Sequence, residues 1–143
     1  SRCLDIKIIL NESNRVNIIE SLTKKNNLNL FIDSKASMLS PGNFIKFNYI
    51  FEKNQISLSE KNFLNSLEIL LNLYKKERDI MFINMILFLT DNYFINIKNK
   101  NLLSIEKIFE YKKFVFENIN KFFLYNLNQN ALLNSINNKI NDE

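Results

Sequence analysis

The side chains that most often carry chemistry are scarce in this 143-residue chain. It has no histidine and a single cysteine, Cys3, so a His-based catalytic triad, a His-containing zinc site and an internal disulfide cannot be built from it. A GxxxxGK[ST] phosphate-binding loop needs several glycines whose backbone N–H groups can turn toward the phosphates, and Gly42 is the only glycine. The chain therefore reads as holding no complete active site and no cofactor of its own. Its net charge of +4 is spread among alternating Lys, Arg, Glu and Asp with no dense basic run, the pattern of a solvated surface. Lys98, Lys100, Lys112, Lys113 and Lys121 would give at most a weak, non-specific and salt-sensitive attraction to DNA.

The elements that would have to position any functional group are helical. An apolar content of 46%, rich in Phe, Ile and Leu, can fill a core, and one Gly with one Pro leaves little of the turn chemistry that β-rich folds need. Asparagine occurs 26 times, spread evenly along the chain, a compositional bias rather than a prion-like tract.

Alternation of Leu4, Ile6 and Ile8 with Asp5 and Lys7 predicts one strand within residues 1–10. A lone strand cannot satisfy its own backbone, so the expectation is a remnant of a sheet lying upstream, in a chain truncated at its start. Capping residues from Asn11 to Asn14 then open a helix carrying Val16, Ile18, Ile19 and Leu22, which ends near Asn26-Asn27. A second short helix is expected from Leu28 to Leu39. A third, marked by Phe44, Ile45, Phe47, Ile50 and Phe51, follows the turn Ser40-Pro41-Gly42-Asn43.

After a polar break from Glu52 to Gln55, longer apolar stripes predict a second helical domain. Leu64, Leu67, Leu71 and Tyr74 mark its first helix. Residues 78–97 are apolar nearly all round, as in the central member of a bundle. Ile105, Ile108, Phe109, Val115, Phe116, Ile119 and Phe122 mark the next, and Ala131, Leu132, Ile136 and Ile140 the last. The expected organisation is thus all-α: a remnant strand over 1–10, a three-helix domain over 11–55 and a bundle of four to five helices over 56–143. The most apolar stretch, Ile80 to Leu89, is far shorter than the roughly 20 residues of a membrane span. With no charged leader and a lone thiol, a cytoplasmic protein without a membrane partner is expected.

Three stretches in one order carry a resemblance to a known family. Ser1-Arg2-Cys3 precedes an apolar strand and a polar turn into a helix. Ala36-Ser37-Met38-Leu39-Ser40-Pro41-Gly42-Asn43 precedes the last helix of the small domain. Tyr125-Asn126-Leu127-Asn128-Gln129-Asn130-Ala131-Leu132-Leu133 opens the final helix. Together these resemble the delta-prime subunits of the bacterial DNA polymerase III clamp loader, members of the AAA+ superfamily, and the resemblance covers essentially the whole chain as a C-terminal piece. It implies the end of an AAA+ core, a helical lid and a C-terminal collar domain. Ser-Arg-Cys closes the ATPase core in that family, so Arg2 would correspond to an arginine finger offered to the ATP of a neighbouring subunit, with Ser1 and Cys3 structural.

Gly42 would match the lid glycine, whereas Ile45 stands where ATP-hydrolysing relatives align a sensing Arg, a departure that favours delta-prime over gamma/tau. The implied partners are the gamma/tau and delta subunits, reached through the collar. The sliding clamp and primer-template DNA would be met only through the whole complex, which is part of a DNA-directed DNA polymerase. Three other readings stand beside this one: a gamma/tau-type or archaeal-type small clamp loader subunit, a stand-alone helical adaptor or viral-type regulatory bundle that takes a partner helix in an apolar groove, and, least favoured for want of a basic stripe, a helical nucleic-acid-binding protein.

Overall fold

A computed structural model describes residues 10–34 and 37–141. The described residues form six α-helices and a short 3₁₀ turn, with no strand among them. Nearly all of the strand expected over residues 1–10 lies outside the described residues, and Leu10 itself has no regular structure. The chain divides into two compact units, Ser1–Gln55 and Ile56–Glu143.

In the smaller unit, α1 (Glu12–Asn26) packs against α2 (Pro41–Lys53). The Asn11 side chain caps α1 by accepting from the Asn14 N–H at 2.8 Å. At the other end Asn27 is left-handed, φ 48°, and the Leu28 N–H returns to the Thr23 carbonyl, closing the helix in the way glycine usually does. Ser40 caps α2 through the Asn43 N–H, with Pro41 in the first turn where its missing N–H is harmless. Ile19 on α1 and Phe44, Phe47 and Phe51 on α2 are buried, and Ile32 joins them from the connector.

That connector corrects one expectation: the described residues between Leu28 and Leu39 form no helix. Leu30 and Phe31 are exposed and, among the described apolar side chains there, only Ile32 is buried, so the described residues present no apolar stripe that would reward a helical turn. The backbone is satisfied from outside instead. Asn48, fully buried on α2, accepts from the N–H groups of Phe31 at 2.7 Å and Ile32 at 3.2 Å, and donates to the Phe44 carbonyl. The Arg15 guanidinium donates to the carbonyls of Ser34 and Leu39. Side-chain to backbone bonds of this kind compete directly with helix formation.

The larger unit is a four-helix bundle. Its 3₁₀ turn, Glu60–Asn62, leads into α3 (Phe63–Glu77), followed by α4 (Ile80–Asn99), α5 (Ile105–Tyr125) and α6 (Gln129–Asn141). Neighbours pack α3 on α4, α4 on α5, α5 on α6 and α6 back on α3, the up-down-up-down arrangement that short connections favour. Asp79, Ser104 and Asn128 cap the starts of α4, α5 and α6. In a chain with one glycine the left-handed positions fall to other residues: Asn27, Asn101 and Asn126, with Gln55 and Arg78. Asparagine tolerates that region better than most side chains, so its abundance has a structural use at these turns.

Ser57 and Ser66 fix the start of the bundle, since the Ser66 hydroxyl donates to the Ser57 carbonyl and accepts from its N–H. The core runs through Leu67, Leu70 and Leu71, Met85, Ile86 and Leu89, Val115, Ile119 and Phe122, and Leu132 and Ile136. α4 is one of four peers rather than a helix wrapped by neighbours. It is 20 residues long and contains an 18-residue window of mean hydropathy 1.5, so length and composition alone would let it cross a membrane, and 44% of that window is buried inside this fold.

Two outcomes follow from these contacts. Asn48→Ala would leave two backbone N–H groups without an acceptor, at about 1–3 kcal/mol for each buried one. Amide hydrogen exchange should therefore speed up at Phe31 and Ile32, and unchanged protection there would contradict the bridging role. Near the 3₁₀ turn, Tyr93 stacks on Phe63 with ring centroids 4.1 Å apart. Burial, aided by the Glu60 charge, pushes its phenol from 10.0 up to about 12. The folded state then holds a proton that the unfolded chain releases, so this contribution to stability is intact below pH 10.0 and is lost as pH rises toward about 12. Alkaline titration of tyrosine absorbance should show one late step that Tyr93→Phe removes.

Candidate interaction surface

Of the residues singled out in sequence, Ser1, Arg2 and Cys3 lie outside the described residues. Gly42 occupies the first turn of α2. Its φ is not positive, and a Cβ placed on it meets nothing within 4 Å. Neither backbone conformation nor close approach therefore demands glycine here. Ile45, the departure from the sensing Arg, is half-buried on the same helix.

The described residues contain no group of three or more His, Cys, Asp or Glu side chains that could hold a metal. Among the described residues two carboxylates are shifted, both downward. Glu60 is lowered by its hydrogen bond from Lys100 at 2.8 Å, and Glu110 by its bond from Lys139 at 2.6 Å. Both therefore favour the charged form, the opposite of a carboxyl held protonated as a general acid. Among the five lysines that could attract DNA, Lys100 pairs with Glu60, Lys112 with Asp91 at 2.7 Å and Lys113 with Glu117 at 3.9 Å. Pairing cancels much of the charge that would reach a phosphate backbone.

The feature that stands out is apolar. α5 carries two stripes. Ile108, Tyr111, Val115, Ile119 and Phe122 are buried against the bundle, while Ile105 is 61% and Phe109 69% exposed. Reading all the apolar residues of α5 as a single core stripe misses this split. The signal was present in the spacing, since Phe109 stands one residue, about 100° around the helix, from Ile108. Beside it on α4, Ile95 is 53% exposed. Phe94, Ile95, Lys98, Ile105, Ile108, Phe109 and Lys112 together line a groove of about 190 Å³ between the two helices.

The groove's polar side chains are both cationic. Lys112 bridges to Asp91 and lies 5.7 Å from the Phe116 ring centroid. Lys98 has no ion pair among the described residues. An apolar trough with ammonium groups on its rim can bury side chains and orient carboxylates. A second exposed apolar group, Leu124, Tyr125 and Leu127, sits where α5 turns into α6. Since Gly42 has room and a helical backbone, Gly42→Ala should hold or raise the stability of the smaller unit, by up to about 1 kcal/mol. Chemical denaturation would read this, and a marked loss would reveal a constraint on Gly42 beyond sterics.

No protein-family model matches the chain, and neither a curated protein nor a solved structure of significant similarity was found.

Proposed function

We propose that the chain is a non-catalytic assembly subunit of the delta-prime type, working within a bacterial clamp loader in the cytoplasm. The observation that carries the reading is the division at Gln55 and Ile56 into a small helical unit followed by a four-helix bundle, the order in which the resembled family sets its lid and collar. Supporting it are Ile45 where a nucleotide-sensing Arg would stand and a bundle that keeps apolar side chains on its surface.

On this reading the bundle packs beside its counterparts in gamma/tau and delta, and Arg2 reaches the ATP of a neighbouring subunit. A guanidinium stays charged and offers planar donors to the γ-phosphoryl oxygens as charge develops there. A finger supplied in trans is worth about 10³ to 10⁵ in rate. Clamp and primer-template DNA are then met only through the assembled complex. A second reading, a helical adaptor outside replication, is favoured by one observation, the groove between α4 and α5.

Reconstitution of the complete subunit with gamma/tau and delta separates the two. Co-elution as one complex is expected. Arg2→Ala should leave that complex intact while lowering DNA-stimulated ATP hydrolysis at the site it serves by about tenfold or more. Unchanged turnover would remove the trans role of Arg2, and failure to co-elute would remove the clamp-loader reading in favour of the adaptor.

A further inference from the structure

We infer that the outer face of the α4–α5 hairpin is a docking groove for an amphipathic helix of a partner protein, one that carries carboxylates beside its apolar stripe. Phe94 and Ile108, both buried, form the floor, and the exposed Ile95, Ile105 and Phe109 form the walls. On α4, Asp91, Ile95 and Lys98 recur four and three residues apart, and on α5 Ile105, Phe109 and Lys112 do the same. Residues at this spacing share one side of a helix, so two antiparallel rows run alongside each other for about 10 Å. That is roughly two turns of a third helix laid between them, the geometry of helix-in-groove recognition.

Charge selects the occupant. The groove itself presents two ammonium groups and no carboxylate. Asp91, the acidic residue beside it, already serves Lys112, which leaves Lys98 to be matched from outside. A partner with Glu or Asp flanking its apolar anchors completes this arrangement, whereas one with lysines there meets like charge in a partly desolvated site. A second copy of the chain is a poorer fit, because each copy brings a net charge of +4 and the same lysines. An anionic bilayer is also poorer, since a flat surface would meet exposed Glu106 and Glu110 as well as the groove.

The test uses the intact chain and two labelled peptides of about 15 residues, long enough to form a helix on binding. Both carry leucines at i, i+3, i+4 and i+7; one is flanked by glutamates and the other by lysines. In fluorescence anisotropy the glutamate peptide should bind more tightly by about tenfold at low salt, with the margin shrinking as salt is raised. Phe109→Ser should weaken it by about tenfold or more, and Lys98→Glu should reverse the preference. Leu124→Ser, at the far end of α5, should change nothing. The side chains of Phe109 and Lys98 are exposed, so unchanged circular dichroism would show that these variants fold.

Equal binding of the two peptides, or binding indifferent to Phe109→Ser, would overturn the inference. So would a concentration-dependent dimer, or binding to phosphatidylserine vesicles, that Phe109→Ser abolishes, since either would assign the face to a different occupant. No other subunit is present in this assay, so its failure leaves the clamp-loader reading to the co-elution experiment.

Discussion

Keeping water out of the seam where α3, α4, α5 and α6 meet is the constraint on which the larger unit depends. Leu67, Leu70, Leu71, Met85, Ile86, Val115 and Ile136 have no exposed surface. Burying one such side chain stabilises the fold by about 1.5–3 kcal/mol, and cutting one back to alanine costs about 2–5 kcal/mol. The ion pairs Lys100–Glu60, Lys112–Asp91 and Lys139–Glu110 all sit at the surface, where such pairs contribute about 0–1 kcal/mol. The seam therefore sets the rotation of each helix, and the charges adjust to it. Tyr93 shows the same hierarchy, because its stacking on Phe63 removes the phenol from water and its raised pKa follows from that burial.

The smaller unit works under a different constraint. Among its described residues the buried apolar side chains are Ile19, Ile32, Phe44, Phe47 and Phe51. Polar side chains do part of the organising. Asn48 holds the backbone on one side of the connector and Arg15 on the other. Such bonds specify a conformation chiefly through the penalty for leaving a buried group unpaired.

This difference explains what could be read in sequence. The helices of the bundle were legible because three carry a stripe recurring every three or four residues and the fourth is apolar nearly all round, whereas the caps at Asp79 and Ser104 emerge only in the structure. The connector between Leu28 and Leu39 was not. Its conformation is set by Asn48 and Arg15, which lie outside it in sequence and reveal nothing of their reach through local periodicity. α4 misled for a related reason, because a helix apolar all round looks alike whether three neighbours cover it or two. As for function, the tripeptide around Arg2 signals through resemblance to a family, and the groove emerges only once α4 and α5 are paired.

The groove is tied to the core by the geometry of α5. Successive side chains on a helix are about 100° apart, so the rotation that buries Ile108, Tyr111, Val115, Ile119 and Phe122 turns Ile105 and Phe109 outward. Polar residues at those two positions would leave the seam unchanged, so the stability of the bundle does not require isoleucine and phenylalanine there. A single exposed apolar residue means little. Exposed apolar side chains that converge from two helices on one trough, with lysines at its edges, form a patch whose composition the fold does not demand. What the fold does demand is their placement: any change that re-registers α5 against α4 would disturb the buried seam and the outer face together, and for that reason a substitution confined to the exposed row separates docking from folding.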